Sequence, residues 1–113
     1  MTEDTPMKKI LFILATAALG ISPLVHAKGN AEAGKAKSTP CAGCHGPDGI
    51  STVSSFPKLA GQHRDYLYHS LKDYKTGKRK NPIMAGQVAN LSDADMADLA
   101  AYFAAQKGLA IKY

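Results

Sequence analysis

The run Cys41-Ala42-Gly43-Cys44-His45 is the part of this chain whose residue types and spacing can do chemistry. Residues three apart lie on one side of a helical turn, so both thiols can reach the same edge of a flat ligand. C-x-x-C-H is the attachment pattern of c-type haem, in which the two sulfurs form thioethers with the vinyl groups. The imidazole of His45 follows at once and can swing under the ring as an iron ligand. Small Ala42 and Gly43 let a ring edge approach the backbone. Other chemistries fit less well. A thioredoxin-type dithiol needs a βαβ setting, and no convincing strand pattern occurs here. A structural zinc site needs four nitrogen or sulfur ligands, so Cys41, Cys44, His45 and one of His63 or His69 would have to converge. A plain disulfide leaves the adjacent histidine without a role.

The occupant of the other axial position decides what such a haem does. Past residue 27 the chain has two methionines, Met84 and Met96. Met96 falls on the apolar face of the last helical segment, where methionine fills core. Met84 lies in Asn81-Pro82-Ile83-Met84-Ala85-Gly86, a loop that Pro82 stiffens and Gly86 lets turn. It is far enough beyond His45 for an intervening helix to cross behind a haem and return on its other face. A thioether is a soft, neutral ligand that favours Fe(II) and raises the potential. His63 and His69 are the rivals, and ligation by either would lower it.

The elements that must position these residues read as helices. Residues 28–40 form a short helix and its exit, with Asn30 as N-cap and Glu32 and Lys37 placed to suit the helix dipole. Gly34 sits inside it, either as a tolerated surface glycine or as a close helix crossing. Residues 46–62 are rich in Gly, Pro and Ser and read as a loop. Residues 64–76 return to helix, with Leu67, Leu71 and Tyr74 on one face and Gly77 as C-cap. Residues 78–91 form a second loop. Ser92-Asp93-Ala94-Asp95 is a capping-box-like start, followed by Met96, Leu99, Ala100 and Phe103 at i, i+3, i+4, i+7; Tyr102 extends the stripe and Gly108 can end the helix. The expectation is an all-α fold of three main helices and two loops. Loops that long in so small a domain must wrap something.

The chain has 113 residues, a net charge of +5 and 45% hydrophobic residues, ordinary for a globule. Large multidomain enzymes are excluded by length. Its start has the pattern of a secretory signal: basic Lys8 and Lys9, an apolar run from Ile10 to Ile21, then Val25-His26-Ala27 at the cleavage positions. The apolar run falls short of the ~20 residues a bilayer span needs. The expected division is a signal peptide over 1–27, starting at Met1 or Met7, and a domain over 28–113. Cleavage removes two lysines and two acids and leaves the +5 balance unchanged. A domain that short has a thin core, and a cofactor helps to hold it.

Together these residues resemble a class I c-type cytochrome, of the short single-haem bacterial kind that also occurs duplicated in dihaem relatives. The likeness runs through Cys41-Ala42-Gly43-Cys44-His45-Gly46, Phe56-Pro57-Lys58-Leu59-Ala60-Gly61-Gln62, Tyr66-Leu67 to Gly77-Lys78-Arg79, Met84, and Leu91-Ser92 to Ala101-Tyr102-Phe103. The resemblance implies a small cytochrome c fold wrapped around one covalent haem c, with iron held axially by His45 and Met84. It implies an electron-transfer role rather than an enzyme. It also implies that the first and last helices cross closely, with Gly34 facing an aromatic such as Tyr102. Pro57 resembles the proline of the loop that leads from the haem motif. With a single C-x-x-C-H, the dihaem form is not expected of this chain.

With both axial positions filled the iron has no open site, so one-electron exchange between Fe(II) and Fe(III) is what remains. Leu59, Leu67, Leu71, Tyr74, Ile83, Leu99 and Phe103 are the candidates for the apolar shell. Lys72, Lys75, Lys78, Arg79 and Lys80 lie just before Met84 and are expected to steer acidic redox partners at low salt. Such partners would be a respiratory reductase or oxidase, or a periplasmic dehydrogenase. Export places the domain in the periplasm, soluble, without stable membrane insertion once the signal is cleaved. Nothing points to nucleic acid. A haem enzyme or gas sensor would instead bind CO readily when ferrous, and a docking module would co-purify with a larger complex.

Overall fold

The structure, a computed structural model, describes residues 28–108. The signal expected over 1–27 lies outside the described residues. Five helices follow in order: α1 (Ala31–Lys37), α2 (Thr39–His45), α3 (Arg64–Thr76), α4 (Pro82–Val88) and α5 (Asp93–Ala104). No strand occurs among the described residues. α1, α3 and α5 are the three main helices the periodicity implies, and residues 46–62 form the expected loop without helix.

The frame is α5 with α1 and α3 packed against it. Its start is a full capping box: the Asp95 N–H donates to Ser92 Oγ at 3.0 Å, and the Ser92 N–H donates to Asp95 Oδ2 at 2.9 Å. Leu67 of α3 packs with Leu99, Ala100, Tyr102 and Phe103 of α5, and Cys41, Leu59 and Leu71 lie against that cluster. α1, N-capped by Asn30, crosses α5 at Gly34. A Cβ at Gly34 would stand 2.0 Å from the Asp98 carbonyl oxygen and 2.7 Å from Tyr102 Cβ. The crossing reading of Gly34 therefore holds, and the tolerated-surface reading does not.

Polar groups lock the same crossing. Lys37 Nζ lies 2.8 Å from Asp95 Oδ1 and 2.6 Å from Asp98 Oδ2. The Asn30 N–H donates to the other Asp98 oxygen at 2.7 Å, so the buried carboxylate is satisfied on both sides, as burial requires. Lys37, followed by the Ser92 backbone and hydroxyl, holds the Asp95 carboxyl down at about 2. At Asp98 burial pushes the carboxyl up, but Lys37 and the Asn30 N–H outweigh it and leave it below the usual range. The two carboxylates raise Lys37 in return.

Three details differ from the sequence expectation. The first helix breaks at Ser38 and restarts as α2, because Thr39-Pro40 suits a helix start. The loop expected over 78–91 contains α4: the Asn81 side chain accepts from the N–H of Ile83 at 3.0 Å and of Met84 at 3.1 Å, with Pro82 in the first turn. α5 ends at Ala104 rather than near Gly108. The Gln106 side chain takes the Tyr102 carbonyl at 2.9 Å, and the Gly61 N–H takes the Phe103 carbonyl at 2.9 Å.

Candidate haem site

α2 presents Cys41 and Cys44 three residues apart, both half-buried and both free thiols. Burial pushes the Cys41 thiol up, and neighbouring Cys44 adds to the effect. His45 is the last residue of α2 and is buried. Its Nδ1 lies 2.8 Å from the Pro57 carbonyl oxygen. A carbonyl only accepts, so Nδ1 carries the hydrogen and Nε2 is left with a lone pair for a metal. The Phe56 ring stands 6.5 Å from the His45 ring, tilted by 59°.

The loop after α2 is tied down at several points. The Ser51 hydroxyl donates to the Cys44 carbonyl at 3.1 Å, and the Leu59 and Ala60 N–H groups converge on the Gly49 carbonyl at 2.8 and 3.2 Å. Gly49, at φ +83°, leaves no room for a side chain: a Cβ would meet Phe103 at 2.8 Å and the Ala60 nitrogen at 2.9 Å. The Tyr102 hydroxyl donates to the Pro47 carbonyl at 2.9 Å.

Cys41, Cys44, His45 and Met84 all line one cavity of about 560 Å³, within the ~300–1,000 Å³ of cofactor pockets. Met84 reaches it from α4 and is half-buried. All seven expected shell residues, Leu59, Leu67, Leu71, Tyr74, Ile83, Leu99 and Phe103, are on its wall. So are Phe56 and Tyr66, which sequence reasoning did not place there, and Arg79 of the basic run. The signal for Phe56 was its position beside Pro57, and that for Arg79 its place in the basic run just before Met84. Neither His63 nor His69 lines the cavity: His63 stands at the N-cap of α3, and His69 is exposed, its ring 5.3 Å from that of Tyr68. Met96 is buried in the core, away from the cavity wall. Among the described residues no three His, Cys, Asp or Glu side chains come together as a metal cluster, so the four-ligand zinc arrangement does not form.

The basic run divides by environment. Lys72 lies 3.7 Å from Asp93 and over the Tyr68 ring at 5.3 Å, and Lys75 donates to the Leu91 carbonyl. Arg79 stacks on Tyr74 at 4.8 Å at the cavity wall. Lys78 and Lys80 are exposed. No helix among the described residues is long and apolar enough to cross a membrane.

The donor set fits a haem: paired thiols on one helical face, an imidazole with its metal-binding nitrogen spared, a thioether, and apolar walls. Fold and site thus define a small all-α domain whose cavity and donors suit a covalently attached iron porphyrin. The chain belongs to the cytochrome c family, whose model matches residues 31–107, and membership implies haem c with its iron. Cytochrome c4 of Pseudomonas aeruginosa is 52% identical over 101 residues, 89% of this chain and 50% of that protein. Cytochrome c-554(548) of Halomonas halodenitrificans is 42% identical over 82 residues, 70% of this chain and 99% of that one. The solved structure of reduced cytochrome c4 from Pseudomonas stutzeri superposes with a TM-score of 0.69 at 47% identity, covering 72% of this chain and 47% of that one. The chain spans about half the length of the cytochrome c4 relatives it matches.

Proposed function

We propose that this chain is an exported, periplasmic one-electron carrier with one haem c in residues 28–113. Cys41 and Cys44 would hold the haem through thioethers, and His45 and Met84 would ligate its iron. The observation that carries this reading is the convergence of those four side chains on one apolar cavity, with His45 Nδ1 already committed to Pro57. The group supplies exchange of one electron between Fe(II) and Fe(III). The chain's residues do the rest. His45 is held in one orientation by the Pro57 carbonyl; Leu67, Leu71, Leu99 and Phe103 exclude water; Met84, on the helix that Asn81 caps, would supply its thioether to the iron. A site closed on both faces favours electron transfer over chemistry on a substrate.

Residues 1–27 serve as the export signal, and the domain is soluble once it is cleaved. Its partners are acidic redox proteins, a respiratory reductase or oxidase or a periplasmic dehydrogenase, met by exposed Lys78 and Lys80 beside the cavity wall. The test is the visible spectrum of the matured, reduced protein with and without CO. Sharp low-spin bands that ignore CO, together with CO binding in Met84→Ala, are expected. A wild-type spectrum that shifts with CO would overturn the closed site and favour an enzyme or gas sensor.

A further inference from the structure

Tyr102 does two things at once. On α5 it is buried where Gly34 of α1 gives it room, its Cβ 2.7 Å from where a residue-34 Cβ would stand. Its hydroxyl leaves that crossing and donates to the Pro47 carbonyl at 2.9 Å, two residues past His45. The loop that begins there is held to α5 twice more by the neighbouring residue: Phe103 lies under Gly49, and its carbonyl accepts from the Gly61 N–H at 2.9 Å. Between those anchors the loop delivers the Pro57 carbonyl to His45 Nδ1 at 2.8 Å.

We propose that Tyr102 is a positioning residue for the iron's histidine ligand, its hydroxyl fixing Pro47 and through it the loop that orients His45. The inference rests on the reading of His45 as an axial ligand. A histidine whose outer N–H is firmly bonded to a carbonyl is a better donor to the metal and keeps one ring orientation. Better donation favours Fe(III), so a loosened carbonyl moves the midpoint potential upward. Phe103 supplies packing and a backbone acceptor, which leaves the Tyr102 hydroxyl, among the described residues, as the side-chain hydrogen bond from α5 to the loop's start.

The test is Tyr102→Phe in the matured haem protein, beside Lys37→Met, which loosens the α1–α5 crossing without touching residues 47–61. Two quantities are read: amide exchange at Leu59, Ala60 and Gly61, and the midpoint potential. Loss of one net hydrogen bond predicts exchange about fivefold faster at those amides in Tyr102→Phe. The ferrous-to-ferric ratio at a fixed ambient potential should rise about threefold, a shift of ~28 mV at 59 mV per decade. Lys37→Met should melt earlier with its potential unmoved. A Tyr102→Phe protein that melts earlier with wild-type potential and wild-type loop exchange would make Tyr102 a packing residue only and overturn the proposal. A wild-type protein that carries no haem would overturn the functional reading and this one together; a haem-loaded wild type with an unmoved variant potential overturns this one alone.

Discussion

Alanine at Gly34 and alanine at Gly86 are the same chemical change in two helices, and the structure assigns them opposite signs. At Gly34 the new methyl would stand 2.0 Å from the Asp98 carbonyl oxygen and 2.6 Å from its carbon. Carbon–oxygen contacts settle near ~3.3 Å, so α1 and α5 must part by roughly 1 Å or more. Both obstructing atoms are backbone, and no rotamer change relieves them. Overpacking of this kind costs about 1–3 kcal/mol, and the parted helices also stretch the Lys37 contacts to Asp95 and Asp98. Against this stands the helix-propensity gain of ~1 kcal/mol for replacing an interior glycine. The clash wins at the upper end of its range, leaving a net loss of about 2 kcal/mol. At Gly86 nothing lies within 4 Å of the added Cβ, so only the propensity gain acts, about 0.5–1 kcal/mol. At ~4–8 °C per kcal/mol for a domain of this size, Gly34→Ala should melt roughly 8–16 °C below wild type and Gly86→Ala a few degrees above it. Thermal unfolding of the haem-loaded proteins, followed by far-UV circular dichroism, reads both. A Gly34→Ala protein that melts at or above wild type would refute the crossing geometry.

Stability should also have an acid limb set by the Lys37 cluster. Asp95 is depressed to about 2 from 3.8 in the folded state, so its contribution is present above the unfolded value and is lost as pH falls from ~4 toward ~2. Its side chain is 29% exposed, which reduces the contribution to ~1–2 kcal/mol after screening. Lys37→Met should flatten the melting temperature against pH in that window; an unchanged acid limb counts against the cluster. Asn81→Ala removes the acceptor for two N–H groups of α4 and should cost about 1 kcal/mol. The loss should be confined to that helix, with faster amide exchange at Ile83 and Met84 while protection in α5 is kept. Lys78→Glu with Lys80→Glu should slow electron exchange with an acidic partner several-fold at low salt, and the difference should vanish as ionic strength rises past ~0.15 M. Equal slowing at all salt concentrations would refute a steering role.

Much of the fold was legible because its signals are local. The Leu67–Leu71–Tyr74 and Met96–Leu99–Ala100–Phe103 stripes fall at helical spacing, and the caps at Asn30 and Ser92 sit within three residues of what they bond. α4 escaped because seven residues with an internal glycine and one buried side chain, Val88, make no periodic stripe. Asp98 escaped for a different reason. On its own helix it reads as one more exposed acid beside Asp95, and it is buried only because α1 crosses there and brings Lys37 and the Asn30 N–H. The hydrogen bond from Tyr102 to Pro47 spans 55 residues and has no sequence signature at all.

The sequence by itself determined the donor types and the chemistry they suit: C-x-x-C-H sets two thiols and an imidazole at the spacing of haem attachment, and an all-α chain with long loops needs something to wrap. Tertiary structure alone decided which side chains meet. It turned Met84, Arg79 and Phe56 onto the cavity wall with His45, left His63 and His69 off it, and committed His45 Nδ1 to the Pro57 carbonyl. The physical reason is range. Ligand type and helix period are written in neighbouring residues, whereas a shared wall or a tether from α5 exists only after segments far apart in the chain have packed.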